Sequence, residues 1–276
     1  ETMSKIYPVG IQSFEEIRQG GYCYIDKTDL IYQLVKTGKY YFLSRPRRFG
    51  KSLLISTLEA YFLGKKELFK GLAMEGLEKD WTVYPVLHLD LNTQKYDTPA
   101  ALTNVLEENL NYWESLYGAS KSEIGVARRF NGIIRRAAEK TGQKVVVLVD
   151  EYDKPMLQAI GNEPLLTEYR NTLKAFYGAL KSNDNSLRFA LLTGVTKFSK
   201  VSVFSDLNNL MDISLSNRFA NICGITENEL HRDLKEGIQL LAAANGMNET
   251  EAKQALKAWY DGYHFAENTE DIYNPF

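Results

Sequence analysis

The sequence predicts an α/β fold in which a parallel sheet is sandwiched between helices, with a small helical subdomain at the C-terminal end. Three observations predict it. Short apolar runs, Tyr40–Leu43, Tyr84–Leu91, Lys144–Val149 and Leu187–Leu192, alternate with longer segments of helical periodicity. The two clearest runs, Val145–Val149 and Leu187–Leu192, are almost continuously apolar, as in strands covered by helices on both faces, the usual state of a parallel sheet. Beyond about Thr226 the strand-like runs stop and helical periodicity alone remains, in Glu227–Ala244 and Glu249–Tyr260. The expected division is a core over residues 1–225 and a lid-like helical subdomain over 226–276.

Taken in order, Asp26 is placed to cap a helix carrying Leu30, Ile31, Leu34 and Val35, with Asp29 in its first turn, where the helix dipole favours an acid. The strand Tyr40–Leu43 then breaks into Ser44-Arg45-Pro46-Arg47-Arg48-Phe49-Gly50, and a helix follows over Lys51–Phe62. Helices are expected around Ala100–Leu116, Lys121–Lys140 and Leu165–Lys181. The strand Lys144–Val149 ends in Asp150-Glu151, and Leu187–Leu192 ends in Thr193-Gly194-Val195-Thr196.

Strand, loop and helix around Gly50-Lys51-Ser52 supply what a phosphate cradle requires. Main-chain N–H groups converge at a helix N-terminus, a lysine reaches the β and γ oxygens, and a hydroxyl ligates Mg²⁺. Against the pattern G-x-x-x-x-G-K-[ST], Arg45 stands where the first glycine belongs. The second motif, Val145-Val146-Val147-Leu148-Val149-Asp150-Glu151, has the Walker B form, with one carboxylate for Mg²⁺ and the next to polarise the attacking water. Together they predict a P-loop NTPase of the ASCE type binding ATP and Mg²⁺, with the run Tyr84–Leu91 as the inserted strand of that group.

The expected nucleotide contacts are Arg47, Arg48, Phe49, Gly50, Lys51, Ser52, Leu53 and Thr193, with Mg²⁺ on Ser52 and Asp150. Glu151, Lys51 and Arg218 are the candidate catalytic residues, Arg218 as an arginine finger and Glu151 as the residue that orients water. Thr193 and Thr196 are candidates for the polar strand tip that senses the γ-phosphate, against the alternative of turn chemistry around Gly194. Asp153, three residues beyond Asp150, is a candidate to assist the metal, against the favoured alternative that Tyr152-Asp153-Lys154-Pro155 starts a loop. His88 reads as a satisfied core histidine, and His231 and His264 lack metal-ligand partners at fixed spacing. The aromatics in Tyr260-Asp261-Gly262-Tyr263-His264-Phe265 suit packing of the helical subdomain onto the core.

Composition narrows the function classes. A net charge of −2 gives no global field to hold a polyanion. Cys23 and Cys223 form no C-x-x-C pair or disulfide framework, which fits a reducing, cytoplasmic compartment. The longest apolar run falls far short of the ~20 residues that span a bilayer, so no membrane partner is expected.

These motifs, with Ile6-Tyr7-Pro8-Val9-Gly10-Ile11, Tyr24-Ile25-Asp26-Lys27-Thr28, Arg45-Pro46-Arg47-Arg48-Phe49-Gly50-Lys51-Ser52 and Trp259-Tyr260-Asp261-Gly262-Tyr263, resemble the AAA-ATPase-like family of bacterial P-loop proteins. The resemblance covers nearly the whole chain and makes the missing first glycine a family trait. It implies an ATPase that drives or regulates a PD-(D/E)xK nuclease-like domain beyond Tyr273-Asn274-Pro275-Phe276, through which alone nucleic acid would be met. The alternative is a nucleotide-gated, STAND-like switch with little or no hydrolysis. Assembly into a homo-oligomer fits the sites of related ATPases, which a neighbour's arginine often completes. By analogy with those proteins, Ile11, Phe14, Tyr22 and Tyr24 are candidates to line an adenine pocket, although each also suits an ordinary core position.

Overall fold

The structure is a computed structural model and describes residues 6–197, 203–260, 263–267 and 269–275. The expected cluster around Tyr260 therefore has Asp261 and Gly262 outside the described residues.

Among the described residues five parallel strands form the central sheet: β1 (Tyr40–Ser44), β2 (Val86–Asp90), β3 (Val145–Asp150), β4 (Leu187–Gly194) and β5 (Met211–Asp212). Their spatial order is β2-β3-β4-β1-β5. The strand that separates β1 from β3 is thus β4, and the run expected as the inserted strand is the edge strand β2. Burial explains the placement. Alternate residues of β2 are only half-buried, as befits an edge, whereas β4 is buried along almost its whole length.

The buried strands divide their side chains between two layers with period two. Tyr40, Phe42, Val145, Val147, Val149, Ala190 and Leu192 face one core. Tyr41, Leu43, Val146, Leu148, Phe189 and Leu191 face the other.

The helices in chain order are α1 (Phe14–Gln19), α2 (Thr28–Thr37), α3 (Lys51–Phe62), α4 (Ala73–Leu77), α5 (Pro99–Tyr117), α6 (Val126–Thr141), α7 (Lys154–Gln158) and α8 (Glu163–Ser182). Helices α5, α6 and α8 cover the first layer, where Phe130 stacks on Phe176 with ring centres 4.2 Å apart. Helices α2 and α3 cover the second. Asp26 acts one position earlier than expected. Lys27 is the N-cap residue of α2, and the Asp26 carboxylate accepts from the N–H (2.8 Å) and hydroxyl (2.6 Å) of Thr28.

Toward the C-terminus, β6 (Ile225–Thr226) pairs antiparallel with β7 (Ile272–Tyr273) around α9 (Glu227–Asp233), α10 (Lys235–Ala244) and α11 (Glu249–Tyr260). These elements bury a small core of their own, with Leu230, Ile238, Ala242, Ala252 and Tyr273 at its centre. Thr226 caps α9 in a reciprocal box with Glu229, satisfying two otherwise orphaned N–H groups. The single helix expected over Glu227–Ala244 is broken at Leu234, which turns that side chain against the small core and into the cleft described below.

Candidate functional site

The chain beyond the C-terminal ends of β1, β2 and β3 borders a cleft of about 1050 Å³, the position at which open α/β sheets bind ligands. One wall is the loop between β1 and α3. The opposite wall carries Glu151, Lys154, Gln158 and Asn92, and the residues around Tyr7–Gln12 and Ile222–Ile225 close the sides.

The loop wall is shaped by main-chain conformation. Gly50 takes φ 80° and ψ 15°, the left-handed region in which a residue bearing Cβ is strained, and so turns the chain directly into α3. Arg48 also has positive φ, at 64°. The α3 N-terminus carries no side-chain cap, so its first-turn N–H groups are left for an anion at the positive end of the helix dipole. Lys51 is buried and donates from Nζ to the carbonyls of Arg45 and Pro46, both at 2.9 Å. Burial pushes its pKa down, opposed first by the charge of Glu151.

Arg45, in the place of the first glycine, is only 1% exposed. Its guanidinium donates to the carbonyls of Ser44 (3.0 Å) and Ser214 (2.6 Å), and more distantly to Ala220 (3.4 Å), and it stacks on Phe265. Burial lowers its pKa. It is thus a strut beneath the loop.

On the acid wall, Asp150 ends β3 and Glu151 follows it. Ser52 Oγ donates to Asp150 Oδ2 at 2.5 Å, so the hydroxyl of one motif meets the carboxylate of the other. Thr193 Oγ1 donates to Asp150 Oδ1 at 2.7 Å and accepts from the Glu151 N–H at 3.3 Å. Glu151 has φ 54°, an uncommon conformation for a residue with a side chain. Burial raises its carboxyl pKa, with Lys51 pulling it the other way.

Strand β4 supports both walls. The carbonyl of Thr193 accepts the Tyr152 N–H at 2.9 Å, and the next carbonyl, of Gly194, accepts the Arg45 N–H at 3.1 Å. A Cβ at Gly194 would lie 2.5 Å from the Tyr152 ring, so the close crossing requires glycine there. Asp153 is wholly buried and accepts from the Val195 N–H and from the N–H and hydroxyl of Thr196. It fixes the strand tip, and with it the chain after Glu151.

The expected site residues are partly gathered. Arg47, Arg48, Gly50, Lys51, Ser52, Leu53 and Glu151 border the cleft. Phe49 also borders it, but its ring packs against Tyr263 and Phe265 at 4.7 and 5.3 Å between centres, making it an anchor for the C-terminal segment. Thr193 is buried and bonded sideways to Asp150, because β4 lies between the strands that carry the two motifs, so it positions the carboxylate and does not line the cleft. Thr196 is spent on Asp153. Arg218 lies on the surface with Nε 3.2 Å from Gln33 Oε1 of α2 and is not among the residues that form the cleft. Ile11 and Tyr24 border the cleft, Tyr22 does not, and Phe14 is a core residue packed on Tyr24 and Phe69. His88 Nδ1 lies 3.0 Å from Glu59 Oε2, while its buried Nε2 has no partner among the described residues.

Several cleft residues were not singled out from the sequence. Lys154 follows Glu151 within one turn, and its Nζ donates to the Asn92 carbonyl (3.0 Å) and side-chain oxygen (2.7 Å). Asn92 itself follows the tip of β2. A strand-tip rule applied to every strand would have found it. Lys27 borders the cleft with Nζ paired to Glu229 at 2.6 Å, and both cysteines, Cys23 and Cys223, lie along it. Among the described residues no helix is long and apolar enough to cross a membrane, and no group of His, Cys, Asp and Glu forms a ready metal cage.

Comparison with known proteins gives the family. The profile of a family described as "Predicted AAA-ATPase" matches residues 8–204. A protein of Azotobacter chroococcum mcd 1, described as "Uncharacterized protein in vnfD 5'region", is 40% identical over 274 residues. That alignment takes in 99% of this chain and 51% of the relative, so the chain spans about half the relative's length. No solved structure gives a significant match. With the profile covering most of its length, the chain belongs to the AAA-ATPase-like family.

Proposed function

We propose that the cleft binds ATP with Mg²⁺ and hydrolyses it, and that residues 226–276 act as a lid over the bound nucleotide. The observation that carries this is the 2.5 Å contact between Ser52 Oγ and Asp150 Oδ2, which brings the two motifs to a single point. A hydroxyl and a carboxylate are hard oxygen donors suited to Mg²⁺, which commonly takes one or two protein carboxylates together with substrate phosphates and water. When bound, Mg²⁺ would neutralise charge on the β and γ oxygens.

The chain's own groups divide the remaining work. The orphan N–H groups at the start of α3 and the Lys51 ammonium hold the phosphates, with Arg47 and Arg48 adding positive charge at the rim. Glu151 takes the proton from the attacking water, and its burial-raised pKa makes it a stronger base than an exposed carboxylate. Thr193 keeps Asp150 and the start of the Glu151 main chain in place. Melting curves with and without excess Mg²⁺-ATP, run beside Lys51→Ala, test the site. A stabilisation that the variant loses supports it, and one that the variant keeps moves the nucleotide elsewhere.

A switch that holds ATP and hydrolyses it slowly is the second reading, favoured by the ties of Arg45 and Phe49 to Phe265. These pass the state of the loop to the C-terminal segment. In either case the output acts on a longer protein. The extra length of the Azotobacter relative has room for the nuclease-like domain implied by the resemblance, and contact with nucleic acid would fall to that domain. A cytoplasmic setting and assembly into a homo-oligomer complete the proposal.

A further inference from the structure

Hydrolysis of a phosphoanhydride is accelerated by positive charge placed around the transferred group, because charge spreads over its equatorial oxygens in the transition state. Among the described residues the cations bordering the cleft are Lys27, Arg47, Arg48, Lys51 and Lys154. Lys27 is neutralised by Glu229 at 2.6 Å, and Arg47, Arg48 and Lys51 all belong to the loop wall. Among the described residues Lys154 is the cation that stands on the wall of Glu151, close enough for its charge to act on that carboxylate.

Its position is built. The Lys154 N–H donates to the Glu151 carbonyl at 3.2 Å, which ties its backbone to the acid. The Nζ is held from the other side by both oxygens of Asn92, at 2.7 and 3.0 Å. Asn92 is fixed in turn by its own N–H, donated to Asp90 Oδ1 at 2.8 Å at the tip of β2. An ammonium has three donors, so the tether leaves one for a ligand. A cation so held pays little reorganisation when charge develops beside it.

From these observations, and resting on the nucleotide site proposed above, we infer that Lys154 is a catalytic residue, an ammonium of the same chain set against the γ-phosphoryl group, with Asn92 as its positioning residue. In the reaction a water oxygen bonds to the γ-phosphorus while the bond from that phosphorus to the β–γ bridging oxygen breaks. ADP leaves with the electron pair, the water proton passes to Glu151, and Lys154 keeps its protons throughout. Lys154 does within the chain what Arg218, on the surface beside Gln33, is not placed to do.

Binding of Mg²⁺-ADP, alone and with aluminium fluoride as a mimic of the transferred phosphoryl group, tests the inference in the unmodified chain, Lys154→Met, Lys154→Arg, Asn92→Ala and Lys51→Ala. Lys154→Met is expected to hold ADP within about 3-fold and to lose about 50-fold or more for the mimic, less than the ~10³–10⁵ an arginine finger supplies. Lys154→Arg should recover most of that loss by restoring the charge, Asn92→Ala should fall between, and Lys51→Ala should weaken both ligands. Equal binding of the mimic by Lys154→Met and the unmodified chain overturns the inference and leaves the nucleotide site standing. Equal weakening of ADP and mimic in Lys154→Met also overturns it, since Lys154 would then serve structure or ground-state binding. If the unmodified chain binds neither ligand, the nucleotide site falls, and the role of Lys154 with it.

Discussion

The guanidinium of Arg45 lies 4.0 Å from the centre of the Phe265 ring, joining the first residue of the phosphate-loop motif to a segment near the C-terminus. At this position a glycine would fit the general loop pattern and would leave a hole here. Arg45→Gly strands the Ser214 and Ser44 carbonyls and empties the space above Phe265. Each buried polar group without a partner costs ~1–3 kcal/mol, and the cavity adds to it. The variant that matches the consensus is therefore expected to be less stable by roughly 3 kcal/mol or more, measured by denaturant unfolding. An unchanged midpoint would show that the strut carries no stability.

Glu151→Gln is expected to retain nucleotide binding while turnover falls by ~10²–10⁴, the contribution of a positioned general base. It should also change stability with pH. Burial raises the Glu151 pKa in the folded chain above the ordinary carboxylate value of 4.5, so the folded state binds this proton more tightly than the unfolded state does. The stability linked to that proton is fully present below the unfolded pKa and is lost as pH rises through the folded one. The glutamine variant should consequently melt higher than the unmodified chain at mildly alkaline pH and alike at acid pH. The opposite order would mean that Lys51 and Lys154 outweigh burial.

Asp153→Ala removes the acceptor of two main-chain N–H groups and one hydroxyl at the end of β4. A loss of about 2–3 kcal/mol is expected from the donors left unpaired, with Asp153→Asn falling between. Chemical denaturation gives the number. A loss below ~0.5 kcal/mol, the range of ordinary surface changes, would remove Asp153 from the account of the strand tip.

Arg218→Ala should leave the melting temperature of the isolated chain nearly unchanged, because the side chain is exposed and its one hydrogen bond among the described residues is to Gln33. If Arg218 completes a neighbouring chain's site, turnover per chain rises with concentration in the unmodified protein and fails to do so in the variant. A rate independent of concentration in both would exclude it as a finger.

What could be read from the sequence was whatever rests on local pattern. The buried runs became β1, β3 and β4, the bounds of α3 fell on Lys51 and Phe62, and Ser52 met Asp150. The rest depended on spatial order, which local pattern does not carry. Whether β2 or β4 stands beside β1 cannot be told from two apolar runs, and Thr193 could be turned toward Asp150 only once β4 was seen between the motif strands. The two-residue strands β5, β6 and β7 are too short to show a period. Asn92 and Lys154 come from different strand tips, and neither is conspicuous without the other.

The two walls of the cleft hang from neighbouring carbonyls of one strand, Tyr152 from Thr193 and Arg45 from Gly194. Strands in a sheet sit ~4.8 Å apart, so the gap between phosphate loop and acid pair behaves as a fixed gauge set by the thickness of β4. Such a gauge does not clamp, and no ligand can draw its jaws together without breaking the ladder that made them. Motion on binding is left to parts outside the ladder, the segment around Tyr7–Gln12 and the chain from Ile222 onward. A signal from this cleft therefore has to leave through its sides.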